Sequence, residues 1–238
     1  MRAEPNHMIG GAVGVLMQTA EDKTADSRNP FLVQLNASIP AADYGAVLQE
    51  AVRKQLGAAQ FTHITKVAVH AATAAEIEGP SRGNPDEQVL ALDVRYYLAP
   101  YFKTLRVAMT ARLGAREIVT ASPSSNEAPS FVQEFYYDVP ADRGGFMRTP
   151  RSGNAEYWTK MGGQAVGAQI LAGMDEVMAM LAYELGRQPR FGRIPGKQIA
   201  WQEANQNSTY GVFERQVGDR QWLRLRNGRI ASVPARAQ

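Results

Sequence analysis

Three histidines, His7, His63 and His70, are the side chains best suited to acid–base work or metal binding near neutral pH. His63 and His70 stand seven residues apart on a stretch that alternates like a strand, and an odd separation puts them on opposite faces. They cannot share a metal from one strand, so an ordinary partly buried imidazole is the simpler reading of each. The chain has no cysteine, which excludes disulfides, thiolate metal sites and a cysteine nucleophile. It has no serine-hydrolase elbow, zinc-protease helix, P-loop or calcium loop. The GGAVG run at 10–14 lacks the spacing of a dinucleotide loop and no Lys-Ser or Lys-Thr follows it. Asp175 and Glu176 are neighbours in a helical pattern and read as its solvated edge, and Glu156 with Lys160 reads as an i,i+4 support pair. No catalytic constellation, metal site or cofactor site emerges, and the chain is expected not to be an enzyme.

The basic C-terminal stretch is more suggestive. Residues 187–238 carry ten basic and three acidic side chains, while the first 186 residues carry an excess of acid. Arg215, Arg220, Trp222, Arg224, Arg226 and Arg229 form the candidate binding set, with Arg224 and Arg226 on the strand face of Trp222. Such a set could hold an anionic surface, either nucleic-acid phosphate with bases stacked on the aromatics or lipid headgroups. The bland alternative is that these arginines solvate a small β module while Leu223 and Leu225 fill its inside.

The elements that would position these residues follow from periodicity. Leu90, Leu92, Val94, Tyr96 and Leu98 share one parity, as do Leu105, Val107, Met109, Ala111 and Leu113. Pairing Leu98 with Leu105 across a six-residue loop puts all ten on one face of an antiparallel hairpin, with Asp93, Arg95, Arg106, Thr110 and Arg112 on the other. Strands are predicted at 31–39, 61–71, 117–121 and 131–139, and a helix over 41–56 begun by Pro40. A long helix over 154–186 carries the stripe Tyr157, Met161, Ala165, Ala168, Leu171, Met174, Met178, Leu181 and Leu185, and its glycines imply close approach to a neighbouring helix. Beyond it lie short strands, with Asn227-Gly228 as a two-residue turn in which both residues take positive φ.

The predicted fold class is α+β: a mixed or antiparallel sheet packed by two main helices, plus a small β-rich C-terminal module, SH3-like or a pair of hairpins. Its divisions are an N-terminal arm at 1–30, the body at 31–186 and the basic module at 187–238. The βα unit, the hairpin and the long helix of residues 31–186 are broadly similar to the periplasmic domains of bacterial envelope-assembly lipoproteins, although the lipid-bearing cysteine of such proteins is absent. The resemblance implies a non-catalytic envelope protein, working through contacts with other envelope proteins or through self-association. It would be periplasmic or outer-membrane-associated if residue 1 follows a removed signal segment, and cytoplasmic otherwise. No run in the sequence reads as a transmembrane span.

Overall fold

The computed structural model describes residues 9–17, 30–57, 62–71, 89–99, 102–114, 129–141, 151–187, 197–202 and 208–235. The expected strand at 117–121, and His7, lie outside them. The fold is α+β, with one mixed sheet and helices packed on it. Its strands are β1 (Ile9–Met17), β2 (Thr62–Ala71), β3 (Val89–Leu98), β4 (Thr104–Gly114), β5 (Phe131–Pro140), β6 (Gln198–Gln202), β7 (Ser208–Val217), β8 (Arg220–Leu225) and β9 (Ile230–Pro234). They stand in the order β2-β1-β3-β4-β5-β9-β8-β7-β6. β1 runs parallel to both β2 and β3, so the stretch read as an N-terminal arm contributes a strand inside the sheet. β3, β4 and β5 form an antiparallel meander, as do β6 to β9. The C-terminal module is thus a run of hairpins, and its last strand joins β5 in parallel to continue the body's sheet.

The central hairpin has the register that the sequence dictates, with Leu98 opposite Leu105 and Leu90 opposite Leu113. Leu90, Leu92, Val94, Leu105, Val107, Met109, Ala111 and Leu113 are buried on the face that carries the helices. Residues 31–39, in contrast, are not a strand. They belong to helix α1 (Pro30–Ser38), which Pro30 opens at a position whose missing amide has no partner to lose. Phe31, Leu35 and Ile39 fit both patterns, because four residues are two strand repeats and one helical turn. Val33 separates the two readings: a strand would bury it, and it is 58% exposed.

Helix α2 (Tyr44–Gly57) starts three residues later than Pro40 implied. Asp43 caps it, its side chain accepting from the amide of Ala46 at 3.0 Å. Leu48, Ala51, Val52 and Leu56 are its buried residues.

Helix α3 (Arg151–Leu185) is interrupted at Gly162, whose φ of 78° and ψ of 156° lie outside the helix. Only glycine takes that backbone readily. The break resets the phase, so the apolar stripe differs from the one the spacing suggests. Trp158, Val166, Ile170, Met174, Val177, Met178 and Leu181 are buried, whereas Ala165 and Ala168 are exposed. The helix then comes close to its neighbours at two glycines. A Cβ on Gly163 would sit 2.1 Å from the carbonyl oxygen of Ser38 at the end of α1. One on Gly173 would sit 2.6 Å from Val107 and 2.8 Å from Tyr137, so the second of these approaches is to the sheet and not to a helix. By length and apolar content Gly153–Leu185 could cross a membrane; in this fold half of its most apolar window is buried.

Trp158 anchors the first leg of α3. Its indole donates to the carbonyl of Phe102 at 2.7 Å, and the Phe102 ring lies 4.9 Å from that of Phe31. Phe102 itself has a φ of 55°, an uncommon backbone for a bulky residue, held here by the hydrogen bond that its amide donates to the Ala99 carbonyl at 2.9 Å.

Gly163→Ala tests the close approach. The usual gain from placing alanine in a helix is reversed, because the methyl group meets backbone that cannot step aside. A loss of about 3 kcal/mol in urea-unfolding free energy is expected, as for an overpacked core. A neutral or stabilising result would mean that α1 and α3 stand further apart.

Candidate functional site

The C-terminal arginines do not share one open face. A bulge in β7 leaves Glu214 as the extra residue between the pairs Phe213–Leu223 and Arg215–Trp222. Glu214 and Arg215 consequently both reach groups of α3 and β8 that strict alternation would deny to one of them. Glu214 accepts from Arg224 Nε at 2.7 Å and from Arg187 Nη1 at 2.7 Å. Arg224 Nη2 donates to Glu184 at 2.6 Å, closing a lattice of two arginines and two glutamates between the end of α3 and the C-terminal strands. Burial pulls the Arg224 pKa down, but the two carboxylates outweigh it and the net shift is upward.

Arg220 is held on the same side of the sheet. Its Nε donates to Ser232 Oγ at 2.8 Å, its Nη2 to the carbonyls of Asp138 and Ser232 at 2.7 Å, and its guanidinium lies 3.8 Å from the Tyr137 ring centroid. Burial lowers its pKa, and the nearby acids only partly offset this. Ser232 passes the bond on to Glu176 Oε1 at 2.8 Å, and the same oxygen takes the Trp222 indole N–H at 2.6 Å. Trp222 is 2% exposed and part of the main core. Arg215 is exposed and lies over the rings of Trp222 and Tyr183, at 5.1 and 5.4 Å. Arg229 pairs with Glu134 at 2.6 Å on the opposite face. Arg226 is exposed, in the β8–β9 turn and not on the Trp222 strand face.

Of the six candidates, then, Arg215 and Arg226 face solvent, Trp222 and Arg224 tie the last strands to α3, Arg220 ties β8 to β9 and β5, and Arg229 pairs with β5 on the other face. Glu176, Glu184, Glu214, Arg187 and Ser232 are the partners that sequence reasoning missed. Glu176 is not a solvated edge: it turns toward β8 while its neighbour Asp175 meets Lys54 and Gln55 of α2. One signal was available. A tryptophan and two arginines of one parity on β8 need polar partners if that face is covered, and the long helix is the only described element with acids to cover it.

The second polar assembly lies on the face of the sheet that carries no helix among the described residues. The register sets its rows: Ala91, Arg112 and Val132; Asp93, Thr110 and Glu134; Arg95, Ala108 and Tyr136; Tyr97, Arg106 and Asp138. Arg106 and Asp138 form a two-pronged pair, both contacts 2.7 Å, under the Tyr136 ring. Burial opposes the Arg106 charge and Asp138 more than restores it, so its pKa is raised. Asp93 pairs with Arg95, and Glu134 receives both Arg229 and the Tyr136 hydroxyl. Arg112 joins no ion pair among the described residues, and beside it Val132 is 55% exposed.

β2 carries His63 and His70, but the strand skips Thr65 in its register with β1. Their β1 partners, Gly10 and Leu16, stand six residues apart, so the odd spacing that separated the two histidines is not kept across the bulge. Among the described residues no group of three or more His, Asp or Glu could hold a metal ion, and no buried polar side-chain atom lacks a hydrogen bond. No family model matches the chain, and no curated protein or solved structure does either.

Two predictions follow from this geometry. Arg224→Ala leaves Glu214 and Glu184 with Arg187 as their one remaining cation in the lattice and is expected to cost about 3 kcal/mol in urea unfolding. Arg226→Ala should stay within about 0.5 kcal/mol. Equal effects of the two would contradict the lattice. The Tyr136 phenol has its pKa raised above the ordinary 10.0, first by burial and then by its bond to Glu134. The unfolded phenol therefore loses its proton first, so stability should hold below pH 10.0 and fall above it. Absorbance titration of tyrosinate beside circular dichroism should show this alkaline limb, weakened in Tyr136→Phe.

Proposed function

We propose that the chain is a non-catalytic protein of the bacterial envelope that works through protein contacts, with the Arg112 and Val132 end of the sheet face that carries no described helix as the contact surface. The observation that carries the reading is the state of that face. Its described acids are already matched to arginines within the chain, while Val132 stands exposed beside Arg112, which has no ion-pair partner among the described residues. A patch of this kind suits a protein surface that offers an apolar side chain flanked by a carboxylate. The envelope assignment rests on what is left of the resemblance described above, the two-faced hairpin and the long helix, since the strand that opened its βα unit is helix α1.

Two experiments test the proposal. Chemical crosslinking in the native host, followed by isolation of the full chain, should trap a protein partner or a second copy. The double variant Val132→Asp, Arg112→Glu should lose that product with its unfolding midpoint unchanged. Persistence of the crosslink in a folded double variant would overturn the choice of face. Fractionation of the host should place the product of the native reading frame with the envelope, and recovery in the cytosolic fraction would overturn the location.

A further inference from the structure

The turn between β8 and β9 is built differently from the two-residue turn that Asn-Gly suggests. Of the two turn residues, Asn227 does not have positive φ and Gly228 does, at 84°. The amide of Gly228 donates to the carbonyl of Leu225 at 3.0 Å, and that of Leu225 to the carbonyl of Arg229 at 2.8 Å. This is a three-residue loop with glycine as its bulge. Asn227 is exposed, and its Oδ1 accepts from the amide of Arg229 at 3.2 Å. The Gly228 carbonyl is the point at which the turn is tied down: it accepts from Gln133 Nε2 of β5 at 2.8 Å and from Arg224 Nη1 at 3.3 Å.

We propose that Asn227–Gly228 is a deamidation site gated by the opening of this turn, and that its isoaspartyl product unlatches the turn from β5. The chemistry needs water alone. The Gly228 backbone nitrogen gives up its proton to solvent base and attacks Cγ of Asn227. The Cγ–Nδ2 bond breaks and ammonia leaves, closing a five-membered imide. Water then opens either imide carbonyl, which yields aspartate or isoaspartate. Glycine at the second position favours ring closure because no side chain crowds the nitrogen. In the folded turn the nitrogen is engaged with Leu225 and the side-chain oxygen with Arg229, so the attack must wait for local opening.

The isoaspartyl product adds one backbone atom to a loop whose closure fixes the Gly228 carbonyl against Gln133 and Arg224. It also sets a carboxylate beside Arg229, in competition with Glu134.

The test uses the full chain in mildly alkaline buffer, folded and in urea, followed by digestion at glutamate. The peptide that begins at Arg215 should gain the mass of NH2 replaced by OH, at least about tenfold more slowly in the folded chain. Asn227→Gln should abolish the gain in this peptide. The isolated isoaspartyl form should unfold at a lower temperature than Asn227→Asp, which carries the charge without the extra backbone atom. Equal rates in folded and unfolded chain, no conversion at Asn227 in either, or an isoaspartyl form as stable as Asn227→Asp would each overturn the inference.

Discussion

The architecture depends on one long helix being able to lie flat on the sheet. α3 touches β4, β5 and β9 beneath it and α1 and α2 beside it, so its closeness sets the position of nearly every other described element. That closeness is possible because side chains are missing where backbones meet, at Gly163 against Ser38 and at Gly173 against Val107 and Tyr137. Close packing then removes water from the space beneath, and dispersion and apolar burial act over Met174, Val177, Met178 and Leu181 together.

Dehydration has a second effect. The C-terminal half of α3 and the last strands both carry charge, and charges leaving water need partners close by. Arg187, Glu184, Arg224 and Glu214 provide them for one another, and Glu176 serves the Trp222 indole and Ser232. These bonds fix how the hairpins meet the helix more than they add stability, since an isosteric apolar joint would hold as well. The β7 bulge is part of that alignment: it brings Glu214 to the arginines.

The sequence made the two-faced sheet legible because alternation over ten residues leaves no second way to bury a hairpin. Register and parity of β3 and β4 came through, and so did the polar character of the second face, although Arg106 is buried on it against Asp138 and not wetted. So did the exposed pair Glu156–Lys160, at 2.8 Å, since such a pair depends only on helical spacing. Residues 31–39 misled because Phe31, Leu35 and Ile39 satisfy two periods at once. The α3 stripe came through at Met174, Met178 and Leu181 and failed at Ala165 and Ala168, close behind the glycine that leaves the helix. The candidate residues were visible one by one but not as partners, because Glu184 and Glu214 reach Arg224, and Glu176 reaches Trp222, from positions 10 to 46 residues away in the chain. No local pattern encodes such a meeting.

The strand order also bears on how the chain is made. β9 lies between β5 and β8, yet it is the last of the described strands to leave the ribosome. Until residues 230–234 emerge, the nascent meander of β3 to β5 keeps one flank of β5 without its neighbour. The molecule must therefore hold a half-built sheet for the time needed to synthesise about ninety more residues, several seconds at ordinary elongation rates. The distant pairing of β5 with β9 makes a late, slow closing step, and a message cut short before residue 230 leaves a strand edge bare to the cell.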